Sequence, residues 1–224
     1  MSEIRVNNVI ADNGLDAVNF AKGINVSSGI ITATSFSGSG ASLTSLPAAN
    51  LTGTLPAISG ANLTGITAGI TQADIYRLNT SLSLSYDTVT VITANWERPD
   101  QSDDVFDKIG TGMSQSSGIF TFPTTGIYLV TYIARLYATT VSYANHIYMD
   151  ATVNNSSYVT VAQSANNIIA NGQTTTVAQS LLDITDTSNR KVRFKVYAAA
   201  NNQQLLGNSN KQETFVTFIR LGDT

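Results

Sequence analysis

A run of 51 residues without a charged side chain, residues 23–73, constrains the fold of this chain most strongly. It is rich in Gly, Ser, Thr, Asn and Ala, a composition typical of flexible linkers. It also repeats, because Ala-Asn-Leu-Thr-Gly at residues 49–53 returns at residues 61–65 and the aliphatic positions keep the same twelve-residue step. A single strand cannot bury this row of aliphatic side chains, whereas three copies wound together can. Each aliphatic side chain left in solvent loses about 1.5–3 kcal/mol of burial free energy. The repeat therefore predicts an ordered oligomeric stem rather than a tether.

The residues before the repeat predict a small hairpin. Apolar positions flank Asn13-Gly14, a pair that suits the positive φ angles of a type I′ turn. A lone hairpin of this size is marginal in water, so we expect it to dock on a partner surface. The chain is accordingly divided into an attachment hairpin (1–30), a repetitive stem and neck (31–87) and a head (88–224).

The neck is predicted to contain a short helix. Thr71 and Asp74 have the spacing of a capping box, and Ile75, Leu78 and Leu82 fall on one helical stripe. The alternative is a plain loop or strand, because residues 79–81 are poor helix formers.

The head alternates β-rich runs with clusters of turn residues. Short strands at this spacing, without a long helical pattern, predict an all-β antiparallel sandwich or jelly roll. The predicted strands are 88–94, 105–113, 118–122, 126–137, 143–153, 158–163, 174–182, 191–198 and 214–221.

Two of these strands are apolar on both faces, 126–133 and 215–221. A strand buried on both sides in a small antiparallel domain is best explained if one face meets another subunit. The sequence therefore predicts an oligomeric head. The candidate interface residues are Tyr128, Val130, Tyr132, Phe215 and Phe218.

Residues 118–128 read Gly-Ile-Phe-Thr-Phe-Pro-Thr-Thr-Gly-Ile-Tyr. They resemble the Phe-x-x-Pro-x-x-Gly-x-Tyr signature of complement C1q and tumour-necrosis-factor-like jelly rolls. Residues 192–197 and 214–219 resemble the last two strands of that family, in the same order. The resemblance implies a compact homotrimer with its first and last strands near the threefold axis, carried on a stalk. The stalk here is not collagen, because its glycines are irregularly spaced.

The front of the chain resembles another group of proteins. Residues 1–10, 19–24 and 32–38, together with the Asn-Leu-Thr-Gly repeats, resemble structural fibre proteins of tailed bacteriophages, particularly those of marine cyanobacteria. This resemblance implies a virion protein that folds in the host cytoplasm and contacts other virion proteins through its N-terminal segment. A start with acid and base, Met1 to Arg5, and the absence of cysteine agree with that expectation.

The sequence contains few residues suited to catalysis or to cofactor binding, and we expect neither an enzymatic activity nor a cofactor. His146 is the only histidine, and no nucleophile elbow surrounds a serine, so a structural histidine is favoured. A zinc site of His and Cys ligands is excluded by count. An acidic cluster could hold Ca²⁺ through oxygen ligands, but it lacks the calcium-loop spacing and a solvated loop is favoured. Its members are Asp100, Asp103, Asp104 and Asp107.

The charged and aromatic residues limit the classes of partner that this chain is expected to bind. The net charge of −3 does not favour binding to nucleic acid. No run of apolar residues is long enough to insert into a membrane. Lys191, Arg193 and Lys195 alternate with apolar residues, as on the wet face of a half-buried strand. Trp96 could stack on a sugar, although a rim or core anchor is favoured.

These observations predict a trimeric virion fibre whose head touches a host-surface glycan or protein, on the tail or the capsid. The alternative is a decoration or assembly protein without receptor binding; a depolymerase is disfavoured because no catalytic constellation is evident. Recognition is expected in the longer loops at the far end of the head, 154–157, 164–174 and 199–212, which are rich in Asn, Gln and Ser.

Overall fold

The head of this chain consists of two antiparallel sheets that face each other, and its strands alternate apolar residues with polar ones. The computed structural model describes residues 26–27, 30–32, 69–99 and 108–224. The predicted N-terminal hairpin, the Asn-Leu-Thr-Gly repeats and the acidic cluster lie outside the described residues. The chain divides into two units, Met1–Asn62 and Leu63–Thr224, and the fold below belongs to the second.

The described part of the second unit contains thirteen strands. They are β1 (Ala73–Leu78), β2 (Thr80–Leu84), β3 (Thr88–Val91), β4 (Trp96–Glu97), β5 (Ser114–Ser116), β6 (Ile119–Thr121), β7 (Gly126–Ala138), β8 (Ser142–Thr152), β9 (Tyr158–Ile168), β10 (Gly172–Ile184), β11 (Lys191–Ala198), β12 (Gln203–Asn208) and β13 (Phe215–Gly222).

The strands form two sheets of different composition. Sheet A has the order β2-β12-β7-β13-β1-β4. Strands β12 and β13 pair with successive parts of one edge of β7, and β10 pairs with its opposite edge. Sheet B has the order β5-β6-β11-β8-β9, with β3 also paired to β11. The chain passes between the sheets at the β7–β8, β9–β10, β10–β11 and β11–β12 connections. Repeated crossing between two antiparallel sheets defines a jelly roll, which confirms the predicted fold class for the head.

The core fills the space between the sheets. Strand β7 alternates buried and half-buried residues along its whole length, and its buried side chains meet those of β11 and β13. The ring of Tyr132 lies 5.0 Å from that of Phe194. The ring of Phe120 contacts those of Phe194 and Phe218 at 5.5 and 5.3 Å.

This arrangement corrects most of the predicted interface. Tyr128, Val130, Tyr132 and Phe218 are at most 1% exposed within a single chain and belong to its core. They are not on a face that a second copy could contact, because period-two alternation places them toward sheet B. Phe215 is half-buried on the opposite face, and it stays a candidate.

The predicted neck helix is wrong. Residues 73–78 form β1, which pairs with β13 so that Ile75 lies opposite Thr217. Residues 80–84 form β2 against β12. Asp74 does not cap a helix, since its carboxylate accepts the backbone N–H of Met113 at 2.6 Å. Long-range strand pairing overrides a weak local helical pattern.

Most of the other strand predictions are confirmed. The run 191–198 is β11, and 126–137 is β7 extended by one residue. The prediction over 105–113 is wrong in its described part, because residues 108–113 contain only an isolated bridge between Ile109 and Ala73. Strand β12 lies inside a predicted loop.

The Phe-x-x-Pro-x-x-Gly-x-Tyr segment forms the corner between β6 and β7. Its aromatic residues enter the core, with the rings of Phe122 and Tyr128 4.8 Å apart. The Tyr128 hydroxyl donates to the carbonyl of Thr124 at 3.1 Å and closes the turn. Gly126 has a φ of 141°, and a Cβ there would lie 2.6 Å from the carbonyl of Gly222. The signature is therefore satisfied by packing and backbone geometry.

Candidate interaction surfaces

The two ends of the head differ in their relation to the rest of the chain. Gln72, at the entrance to β1, accepts a backbone hydrogen bond from Arg220 near the end of β13. Entry and exit therefore share one end, which we call the proximal end. The opposite, distal end carries four short connections. These are residues 85–87, 139–141, 169–171 and 199–202.

The outer face of sheet A carries apolar rows. Strand register places Ile133 between Phe215 and Val177, and Leu129 between Ile219 and Leu181. Val177 and Leu181 are 48% and 61% exposed. A row of Thr and Gln separates the two apolar rows, with Gln179 Nε2 donating to Thr131 Oγ1 at 2.8 Å.

A second apolar surface opens on the β9–β10 side at the proximal end. This groove is lined by residues of β8, β9, β10 and β11 and by the connections that follow β8 and β10, and it includes the charged Asp183, Arg190 and Lys191 beside its aliphatic residues. Val153, Val159 and Val161 are 38–67% exposed in it. Exposed aliphatics clustered in this way, beside a second apolar face, mark an interaction site rather than the usual scatter of surface residues.

The outer face of sheet B is polar and internally paired. Lys191, Arg193 and Lys195 lie half-buried between the fully buried Val192, Phe194 and Val196, which confirms the predicted alternation. Asp150 accepts Lys195 Nζ at 2.8 Å, Arg193 Nη2 at 3.2 Å and the Thr160 hydroxyl at 2.8 Å. Burial alone would raise the pKa of Asp150, but the hydrogen bonds from Lys195 and Thr160 and the Lys195 charge outweigh burial and lower it. These cationic side chains therefore make contacts within sheet B.

His146 and Trp96 have structural environments. The His146 ring stacks at 5.8 Å on that of Tyr148 and lies 5.9 Å from that of Tyr197. Within the described residues it makes no hydrogen bond to a serine or an acid. Trp96 is 7% exposed, and its Nε1–H donates to the carbonyl of Ile92 at 3.1 Å. It is a core anchor and is not accessible to a sugar.

A buried amide holds the distal connections together. Asn145 is fully buried, and its Oδ1 accepts hydrogen bonds from Ser142 Oγ at 2.7 Å, Gln203 Nε2 at 2.8 Å and Ala199 N at 3.1 Å. Its Nδ2 donates to the carbonyl of Asn166 at 3.3 Å. Four elements thus share one side chain, and sequence patterning gave no sign of it beyond an Asn on a predicted strand.

Two of the three predicted recognition loops contain strand residues. Residues 164–168 end β9 and residues 172–174 begin β10, which leaves a tight turn at 169–171. Residues 203–208 form β12. Residues 154–157 form a turn at the proximal end, where the Asn154 side chain accepts the N–H groups of Ser156 and Ser157. The distal surface is therefore built of short turns.

The described residues hold no group of three or more His, Cys, Asp or Glu side chains placed to bind a metal ion. In the same part of the chain, no helix has the length and hydropathy needed to cross a bilayer.

No protein-family model and no curated protein sequence matches the chain. Solved structures with a similar fold do match. Murine APRIL at pH 8.0 is 15% identical, with a TM-score of 0.48 over 67% of this chain and 98% of its own. The globular domain of zebrafish complement 1qA is 12% identical, with a TM-score of 0.43 over 68% and 99%.

A third similar structure is the vertex protein P5 of PRD1, which is 14% identical, with a TM-score of 0.42 over 69% of this chain and 99% of its own. The strand topology makes the head an antiparallel jelly roll, and these neighbours are similar to it in fold.

Proposed function

We propose that this chain is a virion structural protein, a homotrimeric fibre whose C-terminal head is displayed on a stem to recognise a host surface. The outer face of sheet A carries this proposal. Its rows around Leu129 and Ile133 keep Val177 and Leu181 in solvent in a single chain. Burial of apolar surface contributes about 25 cal/mol per Å², so these rows favour self-association.

The geometry favours a ring of copies over a symmetric pair. The apolar face of sheet A and the groove beside β9 and β10 adjoin at Leu181, but the row around Ile133 and the valines of β9 occupy different parts of the surface. Docking of one into the other is a heterologous contact, which closes into a ring if the rotation permits. Three copies agree with the resemblance to C1q and with the twelve-residue repeat, whose aliphatic residues three wound chains can bury.

The end of the head at which the chain enters supports a display role. The chain enters β1 at the proximal end, on the side of the head opposite to the distal turns. Weak contacts made by three distal ends on one host surface are strengthened by avidity. We propose no enzymatic activity, since His146 and Asp150 are both engaged in structural contacts.

Sedimentation equilibrium and cell binding by the full-length protein test this proposal. We expect about three times the monomer mass of 23.7 kDa at micromolar concentration, and binding of fluorescently labelled protein to the bacteria that the particle infects. A monomer would refute the fibre. A trimer that binds no susceptible cell would instead identify a decoration or assembly protein.

A further inference from the structure

A concavity at the distal end of sheet A brings together polar side chains from three strands and two turns. It has a volume of about 390 Å³ and is lined by Ser83 and Leu84 of β2, Tyr137 of β7, Thr139 of the next turn, and Asn202, Gln203 and Gln204 around the start of β12. Strand register places Tyr137 beside Gln204, and Gln204 beside Ser83. The volume lies in the range of small-ligand sites, roughly 300–1,000 Å³. We call this concavity the distal cup.

The rim of the cup has unused hydrogen-bonding capacity. Ser83, Thr139, Asn202 and Gln204 are exposed. Neither these side chains nor the Tyr137 hydroxyl makes a hydrogen bond with the described part of the chain. Elsewhere the head pairs comparable groups, as where Asn154 accepts from neighbouring N–H groups. Asn and Gln amides and hydroxyls can each donate and accept.

The base of the cup is fixed by the Asn145 network. Gln203 is 1% exposed, and its Nε2 donates to Asn145 Oδ1 at 2.8 Å. The same oxygen accepts the N–H of Ala199 at the start of the turn that carries Asn202. Asn202 has a φ of 56°, so the turn is tight as well as anchored. The rim is therefore preorganised, which lowers the entropic cost of binding.

The chemistry of the lining identifies the class of ligand. None of the lining residues is charged, and the nearby Arg135 is engaged by Glu213 and Gln173. A phosphate, a sulfate or an acidic sugar would find no counter-charge. A half-buried aromatic ring, ringed by amides and hydroxyls from separate elements, suits a compact molecule with an apolar C–H face and a hydroxyl rim. An extended peptide would instead match a row of backbone groups along a strand edge.

We propose that the distal cup binds a neutral sugar ring, with Tyr137 under its C–H face and with Gln204, Asn202 and Ser83 at its hydroxyls. This inference deepens the proposed host recognition and rests on it. The Arg135 row separates the cup from the apolar rows around Ile133, so association through those rows leaves the cup outside the contact. Three cups then face the host from one head.

Saturation-transfer NMR and calorimetry with the full-length protein test the cup. The probes are glucose, galactose, mannose and N-acetylglucosamine, with glucuronic acid as the charged counterpart. We expect at least one neutral sugar to bind in the millimolar range and glucuronic acid not to bind. Tyr137→Ala and Gln204→Ala should each weaken that binding about tenfold or more, which corresponds to ~1.4 kcal/mol.

Matched variants outside the cup control for surface changes. Tyr143, an exposed distal tyrosine, and Gln163, an exposed glutamine on β9, are replaced by alanine. Both variants should bind the sugar like the wild type, and all four should keep the wild-type melting temperature. No binding of any neutral sugar, equal binding of glucuronic acid, or full binding by the Tyr137 and Gln204 variants would overturn the cup.

Cell binding separates this inference from the broader proposal. Periodate destroys vicinal diols of surface glycans, whereas a protease removes surface proteins. If the trimer binds cells after periodate but not after protease, host recognition stands and the sugar cup is wrong. If the trimer binds no cells although the cup binds a sugar, host recognition fails and the cup stands.

Discussion

Asp74 and Arg98 form a two-point ion pair, with Arg98 Nε and Nη2 donating to the carboxylate at 2.9 and 2.7 Å. Arg98 also donates to the Tyr76 hydroxyl and to the Met113 carbonyl, each at 2.8 Å. The pair therefore ties β1 to both ends of the segment from residue 98 to residue 113. Asp74 is 3% exposed, so these donors replace most of the water that would otherwise contact its carboxylate.

Replacing Asp74 by asparagine should destabilise the head by about 2–4 kcal/mol, because it removes the charge that faces Arg98 and one acceptor of the Met113 N–H. Urea unfolding followed by tryptophan fluorescence measures this change, since Trp96 lies in the same core. Asp183→Asn on the exposed face of β10 is the matched control and should cost less than about 0.5 kcal/mol. Equal effects of the two substitutions would show that the pair contributes little.

Asp150 predicts an acid-dependent loss of stability. Its pKa is lowered from the ordinary 3.8, because hydrogen bonds from Lys195 and Thr160 and the Lys195 charge outweigh the effect of burial. A carboxyl with a lowered folded-state pKa stabilises the fold above about pH 4, and this contribution is lost as the pH falls through the lowered value. Asp150→Asn should therefore cost about 1–2 kcal/mol at pH 7 and less at each step below pH 4.

Urea midpoints of the wild type and of Asp150→Asn between pH 7 and pH 2 check this prediction. The two curves should converge on the acid side. A constant separation over the whole range would mean that the substitution acts through packing and not through the charge of Asp150.

Residue alternation was sufficient to predict β7 and β11, two of the strands that form the core. In β7 and β11 every second side chain is buried, and a period of two cannot be mistaken for a helix over eight or more residues. The corner that contains Pro123 and Gly126 was predicted from its resemblance to the Phe-x-x-Pro-x-x-Gly-x-Tyr signature and not from alternation.

Alternation could not tell which face of a doubly apolar strand lies inside. Tyr128 and Ile127 are both apolar neighbours on β7, and only the position of sheet B decides that the tyrosine enters the core. Strands β1 and β12 were missed because their pairing partners are far away in sequence, β13 and β7 respectively. The distal cup was missed because its side chains meet only through the register of β7, β12 and β2.

Gly118 should not tolerate a side chain. It has a φ of 75°, and a Cβ at this position would lie 2.0 Å from the backbone carbonyl oxygen of Ile92. Gly118→Ala should cost about 2–4 kcal/mol, measured by urea unfolding, because the strain and the clash add. Gly222→Ala, where a Cβ meets nothing within 4 Å, should be close to neutral. A neutral Gly118→Ala would show that the turn between β5 and β6 can relax.

The stem is predicted to depend on its periodic aliphatics. Leu51→Ser combined with Leu63→Ser should speed hydrogen exchange across residues 40–70 while leaving the melting of the head unchanged, because wound chains lose their buried stripe. Thr52→Ser combined with Thr64→Ser is the control at neighbouring repeat positions. If exchange in this stretch is already fast in the wild type, the segment is a tether and the fibre interpretation fails.

The contact between heads should join unlike surfaces. Ile133→Glu places a charge on the outer face of sheet A, and Val159→Lys places one in the β9–β10 groove. Removal of residues 1–70 from both variants takes away the proposed stem contacts. If the face of one copy then docks on the groove of the next, each truncated variant alone should sediment as a monomer, because every contact in the ring is broken. Tyr143→Glu, at an exposed distal position, should stay trimeric.

Mixing the two variants distinguishes this arrangement from a face-to-face pair. An intact groove on the Ile133→Glu protein can meet an intact face on the Val159→Lys protein, so the mixture should form a heterodimer by sedimentation velocity. In a face-to-face assembly the groove is not used. Val159→Lys would then keep the wild-type mass, and adding the Ile133→Glu protein would form no heterodimer, since each contact needs two intact faces.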